Sequence, residues 1–270
     1  MPRRSAWSGA AAVLLSALAC AAPATANDAG AITHSAGAVS ATLEWDAADF
    51  GIANPRLFVV RDGVRYDLPI VDVCGDGCIV VPDEPDTKPG ESAVKVADLD
   101  LDGEPEVLVD TFSGGAHCCV TARLLTWDGT GYQPKDIEYR DVSYTLRDAD
   151  ADGRLELVGY DPRFSSVFTA YAASAFPPQV LQVEKGATVD VTRKFPKLVR
   201  ADAKLRLRDL RKARRGDDVR GVLAAYVADQ YLLGRGRVGT AEVDRQRRNG
   251  RVSKGFGAFL LKRLKAWHYR

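Results

Sequence analysis

Two nine-residue stretches share one pattern: Asp98-Leu-Asp100-Leu-Asp102-Gly103-Glu104-Pro-Glu106 and Asp148-Ala-Asp150-Ala-Asp152-Gly153-Arg154-Leu-Glu156. Each reads D-x-D-x-D-G-x-x-E, and the two lie 50 residues apart. Three carboxylates at alternate positions repel one another unless the chain curls them around a hard cation. The glycine after the third supplies a backbone conformation that a side chain would obstruct. A calcium loop is the expected reading, set against a bland one in which two acidic turns merely join strands. An EF-hand would need Glu at the twelfth loop position, where Val109 and Gly159 stand, and a helix after it. The loops run instead into Val107-Leu-Val109 and Leu157-Val158, which is strand sequence.

The duplication extends beyond the loops, which separates a true repeat from a chance acidic run. Arg123-Leu-Leu-Thr-Trp127-Asp-Gly129-Thr-Gly-Tyr132 lies downstream of the first and Val180-Leu-Gln-Val183-Glu-Lys-Gly186-Ala-Thr-Val189 downstream of the second. Both read as a strand, a glycine turn and a return strand. A third such hairpin, Leu57-Phe-Val-Val60-Arg-Asp-Gly63-Val-Arg-Tyr66, sits upstream, preceded by Ala41-Thr-Leu-Glu-Trp45 but by no complete Asp loop. Residues 36–195 therefore predict a mainly β region of about three four-stranded antiparallel units, arranged like propeller blades or stacked. Closed propellers usually have four to eight blades, so an open or atypical arrangement is expected.

An Asp loop running directly into a hydrophobic strand resembles the FG-GAP or VCBS type repeat, known from integrin alpha-chain propellers and many exported bacterial proteins. The resemblance covers residues 94–195. It implies structural calcium held by Asp98, Asp100, Asp102 and Glu106 and by Asp148, Asp150, Asp152 and Glu156. The main-chain carbonyls of Glu104 and Arg154 would complete each shell. This chain has two loops where such proteins have several, and Glu where Asp is common at the ninth position. Ser113-Gly114-Gly115-Ala-His117-Cys118-Cys119 also resembles a stretch of uncharacterised exported bacterial proteins of this type.

Arg3 and Arg4, an apolar run from Ala10 to Ala22 and the small-x-small Ala24-Thr25-Ala26 predict a signal peptide over residues 1–26. The product is then expected to be secreted, periplasmic or extracellular, with residues 27–35 as a loose mature N-terminus. A lipoprotein anchored at Cys20 is the minor alternative, since Ala17 stands where Leu is usual. No later apolar stretch reaches the roughly 20 residues that span a bilayer.

Export makes oxidation the default for Cys74, Cys78, Cys118 and Cys119, so two disulfides are expected, with three pairings open. Cys74 to Cys78 would close a tight loop, worth about 2 kcal/mol; Cys118 to Cys119 would be a vicinal bridge. Crossed pairs would close loops of about 40 residues for nearer ~4 kcal/mol. The local pairing is slightly favoured. Zinc is disfavoured, because C-x3-C with an adjacent pair is poor ligand spacing.

His117 beside Cys118 could suggest nucleophilic catalysis, but oxidised cysteines cannot serve. Gly114, Gly115 and His117 are better read as a turn that positions the disulfide. No G-x-S-x-G, H-E-x-x-H or phosphate loop occurs, so no enzyme is expected. An envelope hydrolase using a loop metal remains the alternative.

After Thr192 the character changes. Residues 196–270 predict a small basic helical domain, with Pro196 closing the last strand. Asp217 and Asp218 cap a helix whose apolar face carries Val219, Val222, Leu223, Tyr226 and Val227, and a last helix spans 256–267. Residues 193–270 hold 23 Lys and Arg against 7 Asp and Glu, a net of +16; the first 192 hold 14 against 29, a net of −15. The overall charge of +1 hides this polarity. The expected function is binding or adhesion at the bacterial cell envelope. The basic end would meet an anionic polymer or lipid surface, or a partner protein in a scaffold or inhibitor role. Nucleic acid is the least favoured partner outside a cell.

Overall fold

The computed structural model describes residues 29–47, 53–70, 92–115 and 118–270. The signal segment, Cys20, Cys74, Cys78 and His117 lie outside these residues.

Twelve described strands form three four-stranded antiparallel sheets, each a simple meander in chain order. The first contains β1 (Gly30–Ala36), β2 (Val39–Asp46), β3 (Ala53–Arg61) and β4 (Val64–Leu68). The second contains β5 (Val94–Ala97), β6 (Glu106–Gly115), β7 (Cys118–Trp127) and β8 (Tyr132–Arg140). The third contains β9 (Tyr144–Arg147), β10 (Glu156–Tyr160), β11 (Pro178–Glu184) and β12 (Ala187–Asp190). The three hairpins legible in the sequence are β3–β4, β7–β8 and β11–β12, and each Asp loop joins the first two strands of its sheet. Sheet one begins earlier than expected. Residues 30–35, expected as part of a loose terminus, and Ala36, expected to open the β region, pair with β2 from Gly30↔Trp45 to Ala36↔Val39.

The sheets stack face to face, and the period-two alternation of side chains shows how. In β6, Val107 and Val109 enter one core with Leu43, Val59 and Val94. Leu108 between them enters another core with Leu124, Leu157 and Val183. Sheet two is thus buried on both faces, one against sheet one and one against sheet three. Burying each Val or Leu fully is worth about 1.5–3 kcal/mol. The far face of sheet three, Val180 and Val158, is covered by Phe195 and Leu198. The sheets form no closed barrel.

Four helices complete the chain: α1 (Pro196–Lys212), α2 (Arg220–Leu232), α3 (Gly236–Arg248) and α4 (Phe256–Ala266). Pro196 opens α1 and does not close a strand: β12 ends at Asp190, and a short 3-10 turn (Thr192–Lys194) intervenes. Proline suits the first helical position because the N–H it lacks would have no partner there. The acidic cap of α2 is also one residue displaced. Val219 is the cap position, and Asp218 accepts from the Arg220 N–H at 3.0 Å.

The helical core extends beyond the helices. Between β10 and β11, residues 161–177 leave sheet three and insert Phe164 and Phe168 among Leu223, Val227, Phe256 and Leu260. Gly221 of α2 lies against this insertion; a Cβ there would come within 2.1 Å of the Ala173 carbonyl oxygen, so only glycine allows the approach. Among the described residues, no helix is long and apolar enough to cross a membrane.

Candidate metal loops

Both Asp loops fold alike. The fourth position is left-handed in each, Leu101 at φ 64° and Ala151 at φ 65°, and the glycine follows at φ 91° and 92°. Left-handed backbone costs a non-glycine residue about 1 kcal/mol or more. The first aspartate folds back on the curl. Asp98 accepts from the N–H groups of Asp102 at 3.1 Å and Gly103 at 2.9 Å. Asp148 accepts from Ala151 at 2.7 Å, Asp152 at 3.2 Å and Gly153 at 2.9 Å. Those N–H groups, Gly153 foremost, hold the Asp148 carboxyl below its usual range.

The curl brings carboxylate oxygens of Asp98, Asp100 and Glu106 within 4.8 Å of one another, and likewise those of Asp148, Asp150 and Glu156. The third aspartates, expected as ligands, stand outside these groups. Asp102 accepts from the Glu104 N–H at 2.8 Å and Asp152 from the Arg154 N–H at 2.9 Å, so each closes its own turn. The ninth-position glutamates are buried at the strand edge. Glu106 accepts from the Leu99 N–H at 2.8 Å and Glu156 from the Ala149 N–H at 2.9 Å. Burial pushes the Glu106 carboxyl up to about 7, and the neighbouring Asp100 and Asp102 charges push the same way. Asp100 Oδ1 is buried without a hydrogen-bond partner. An orphaned carboxylate oxygen beside two further carboxylates, with no nitrogen or sulfur donor, suits a hard cation such as calcium.

The loops also bridge the sheets through side chains at the seventh position. Glu104 takes the guanidinium of Arg61 from β3, its Oε1 accepting from Nε at 2.9 Å. Arg154 donates to the Leu99 carbonyl of the first loop at 3.2 Å and to the Val183 carbonyl of β11. Asp100 Oδ2 accepts from the Lys185 N–H, in the β11–β12 turn, at 2.9 Å. These bonds span 29 to 85 residues of chain and carry no local sequence signal.

Two of the cavities lined by described residues lie elsewhere. One of about 600 Å³ sits between sheet three and α1, lined by Arg147, Tyr160, Leu198 and Asp202 among others. Another of about 760 Å³ lies at the turn from α2 to α3, lined by Arg193, Arg235, Arg237 and Arg270 with Tyr231 and Tyr269. Neither is lined by a loop carboxylate. Behind the first, Asp229 of α2 is fully buried and neither carboxyl oxygen has a settled partner. Burial drives its carboxyl well above the usual range, and the charge of nearby Asp202 adds to this. Asp202 itself is gripped by Arg206 at 2.9 Å. The one sequence signal for Asp229 is a carboxyl among the buried residues of α2, between Ala228 and Gln230. For the arginine cavity it is the run Gly234-Arg235-Gly236-Arg237.

A family model described as the sll0997 C-terminal domain matches residues 199–257, from α1 into the first turn of α4. The chain is similar to the probable thylakoid lumen protein sll0997 of Synechocystis sp. (strain ATCC 27184 / PCC 6803 / Kazusa). Identity is 34% over 185 residues, covering 64% of this chain and 54% of that protein. It is also similar to the uncharacterized protein y4bJ of Sinorhizobium fredii (strain NBRC 101917 / NGR234). There identity is 30% over 89 residues, covering 33% of this chain and 14% of that one. The chain thus spans about half the length of the first relative and far less of the second. No solved structure matches it.

Proposed function

We propose that this is an exported protein of the FG-GAP or VCBS repeat type, in which structural calcium fastens three blade-like β units into an open array. Its basic helical end would bind an anionic component of the bacterial envelope. The observation that carries the calcium reading is the repeated convergence of the first, third and ninth loop carboxylates, together with the orphaned Asp100 Oδ1. Asp98, Asp100 and Glu106 would hold one ion, and Asp148, Asp150 and Glu156 the other. Bound calcium would neutralise the clustered carboxylates and offset the strain at Leu101 and Ala151. Extracellular modules bind calcium at about 10⁻⁴ to 10⁻³ M, so occupancy outside a cell would be constitutive.

A structural role is favoured over catalysis because, among the described residues, neither of these two cavities is lined by a loop carboxylate. Export is supported by the charged, apolar and small-residue order of residues 1–26 and by the likeness to a probable thylakoid lumen protein. Placing the binding function at the helical end rests on its net charge of +16.

The test is metal analysis of the purified mature protein, with thermal melts in calcium and in chelator. Two equivalents of calcium and a chelator-sensitive midpoint are expected. A metal-free protein whose midpoint ignores both additives would end the proposal.

A further inference from the structure

We propose that the cavity at the α2–α3 turn is a binding site for a phosphate group. Arg193, Arg235, Arg237 and Arg270 line it, and no Asp or Glu side chain does. Several other arginines of the helical region are neutralised by carboxylates. Arg206 is held by Asp202, Arg220 by Asp218, Arg245 by Glu242 and Arg247 by Asp244. Arg235 and Arg237 form no ion pair with a described carboxylate, and both are exposed.

Arg193 prepares the site. Its guanidinium donates to the carbonyls of Tyr231 at 2.9 Å, Leu232 at 3.3 Å and Tyr269 at 2.6 Å. These partners are neutral, so its position is fixed while its charge is kept. They include the terminal carbonyls of α2, so the negative end of that helix is already satisfied beside the cavity. No side chain caps the start of α3, which adds partial positive charge on the same side. Planar guanidinium forks match the tetrahedral oxygens of phosphate, and several cations suit a dianion better than a single carboxylate. The phosphate could be soluble or carried on a lipid headgroup. The inference deepens the envelope-binding reading and rests on it; it is independent of the calcium loops.

The experiment titrates full-length mature protein, in calcium-containing buffer, with inorganic phosphate by calorimetry. The double variant Arg235→Gln/Arg237→Gln should bind roughly tenfold more weakly or worse. The control Arg248→Gln/Lys254→Gln removes the same charge from exposed positions outside the cavity and should bind like the parent. No binding by the parent, or equal weakening in the control, overturns the site in favour of none or of a diffuse field. Phosphatidylglycerol vesicles form the second arm. Retention that phosphate competes away identifies a lipid headgroup, and phosphate binding without retention identifies a soluble source. Phosphate binding and vesicle retention both unchanged in the Arg235/Arg237 variant overturn the site yet leave the envelope-binding reading standing.

Discussion

The β array and the helical region solve the same problem, joining one layer to the next, by different means. Between sheets, apolar faces are supplemented by polar loop contacts: Arg61 on Glu104, Arg154 on Leu99, Lys185 on Asp100. Between sheet three and the helices the joint is aromatic. Phe164 meets the rings of Phe168, Trp267 and Tyr269, with centroids 5.4, 5.1 and 5.7 Å away. The first kind of joint should respond to calcium, and the second should not.

The largest test of that contrast is Phe164→Ala, which empties the aromatic joint and should cost about 3–5 kcal/mol. The loss should be the same in calcium and in chelator, measured by denaturant unfolding. Rescue by calcium would mean that the two joints are not distinct. Chelation of the unmodified protein comes next, at about 1–3 kcal/mol for ions near saturation. Hydrogen exchange should rise along β5, β6, β9 and β10 while α2 stays protected; uniform loosening would erase the distinction.

A smaller effect should separate the two loops. Asp100 is half-buried and tied to Lys185, whereas Asp150 is exposed. Asp100→Ala should therefore lower the midpoint more than Asp150→Ala, each removing one equivalent of calcium. Equal losses would show that the Lys185 contact adds nothing.

The last test acts in the opposite direction. Because the Asp229 carboxyl titrates above its ordinary value, the folded chain prefers it protonated. That preference stabilises at acid pH and is lost as pH rises from the unfolded value of about 3.8 through the folded one. Asp229→Asn stays neutral throughout, so its advantage over the parent should grow from acid to neutral pH. A pH-independent difference would assign the effect to packing.

The strands were legible because their signals are local. Asp62-Gly63 and Lys185-Gly186 mark two-residue turns, and the D-x-D-x-D-G run announces its own curl. The turn chemistry of Asp102 and Asp152 was not, since a ligand and a turn-former are the same residue in sequence. Nor was the departure of residues 161–177 into the helical core. Phe164 and Phe168 show no period that distinguishes them from residues of a sheet. The start of β1 was missed because alternate residues of Gly30–Ala36 are small or polar, and its pairing comes from the partner strand. The arginine cavity needed the tail, the α2–α3 turn and Arg193 in one place, three segments far apart in the chain.

The stacking order of the sheets has a consequence for how the chain assembles. Each sheet is a local meander, and each core joins units adjacent in sequence, so structure can accrue from the N-terminus as the polypeptide emerges. The growing end of such an array is always unfinished. Until Phe195 and Leu198 arrive, Val158 and Val180 have no cover, so a chain stopped before residue 195 would present a sticky sheet face to its neighbours.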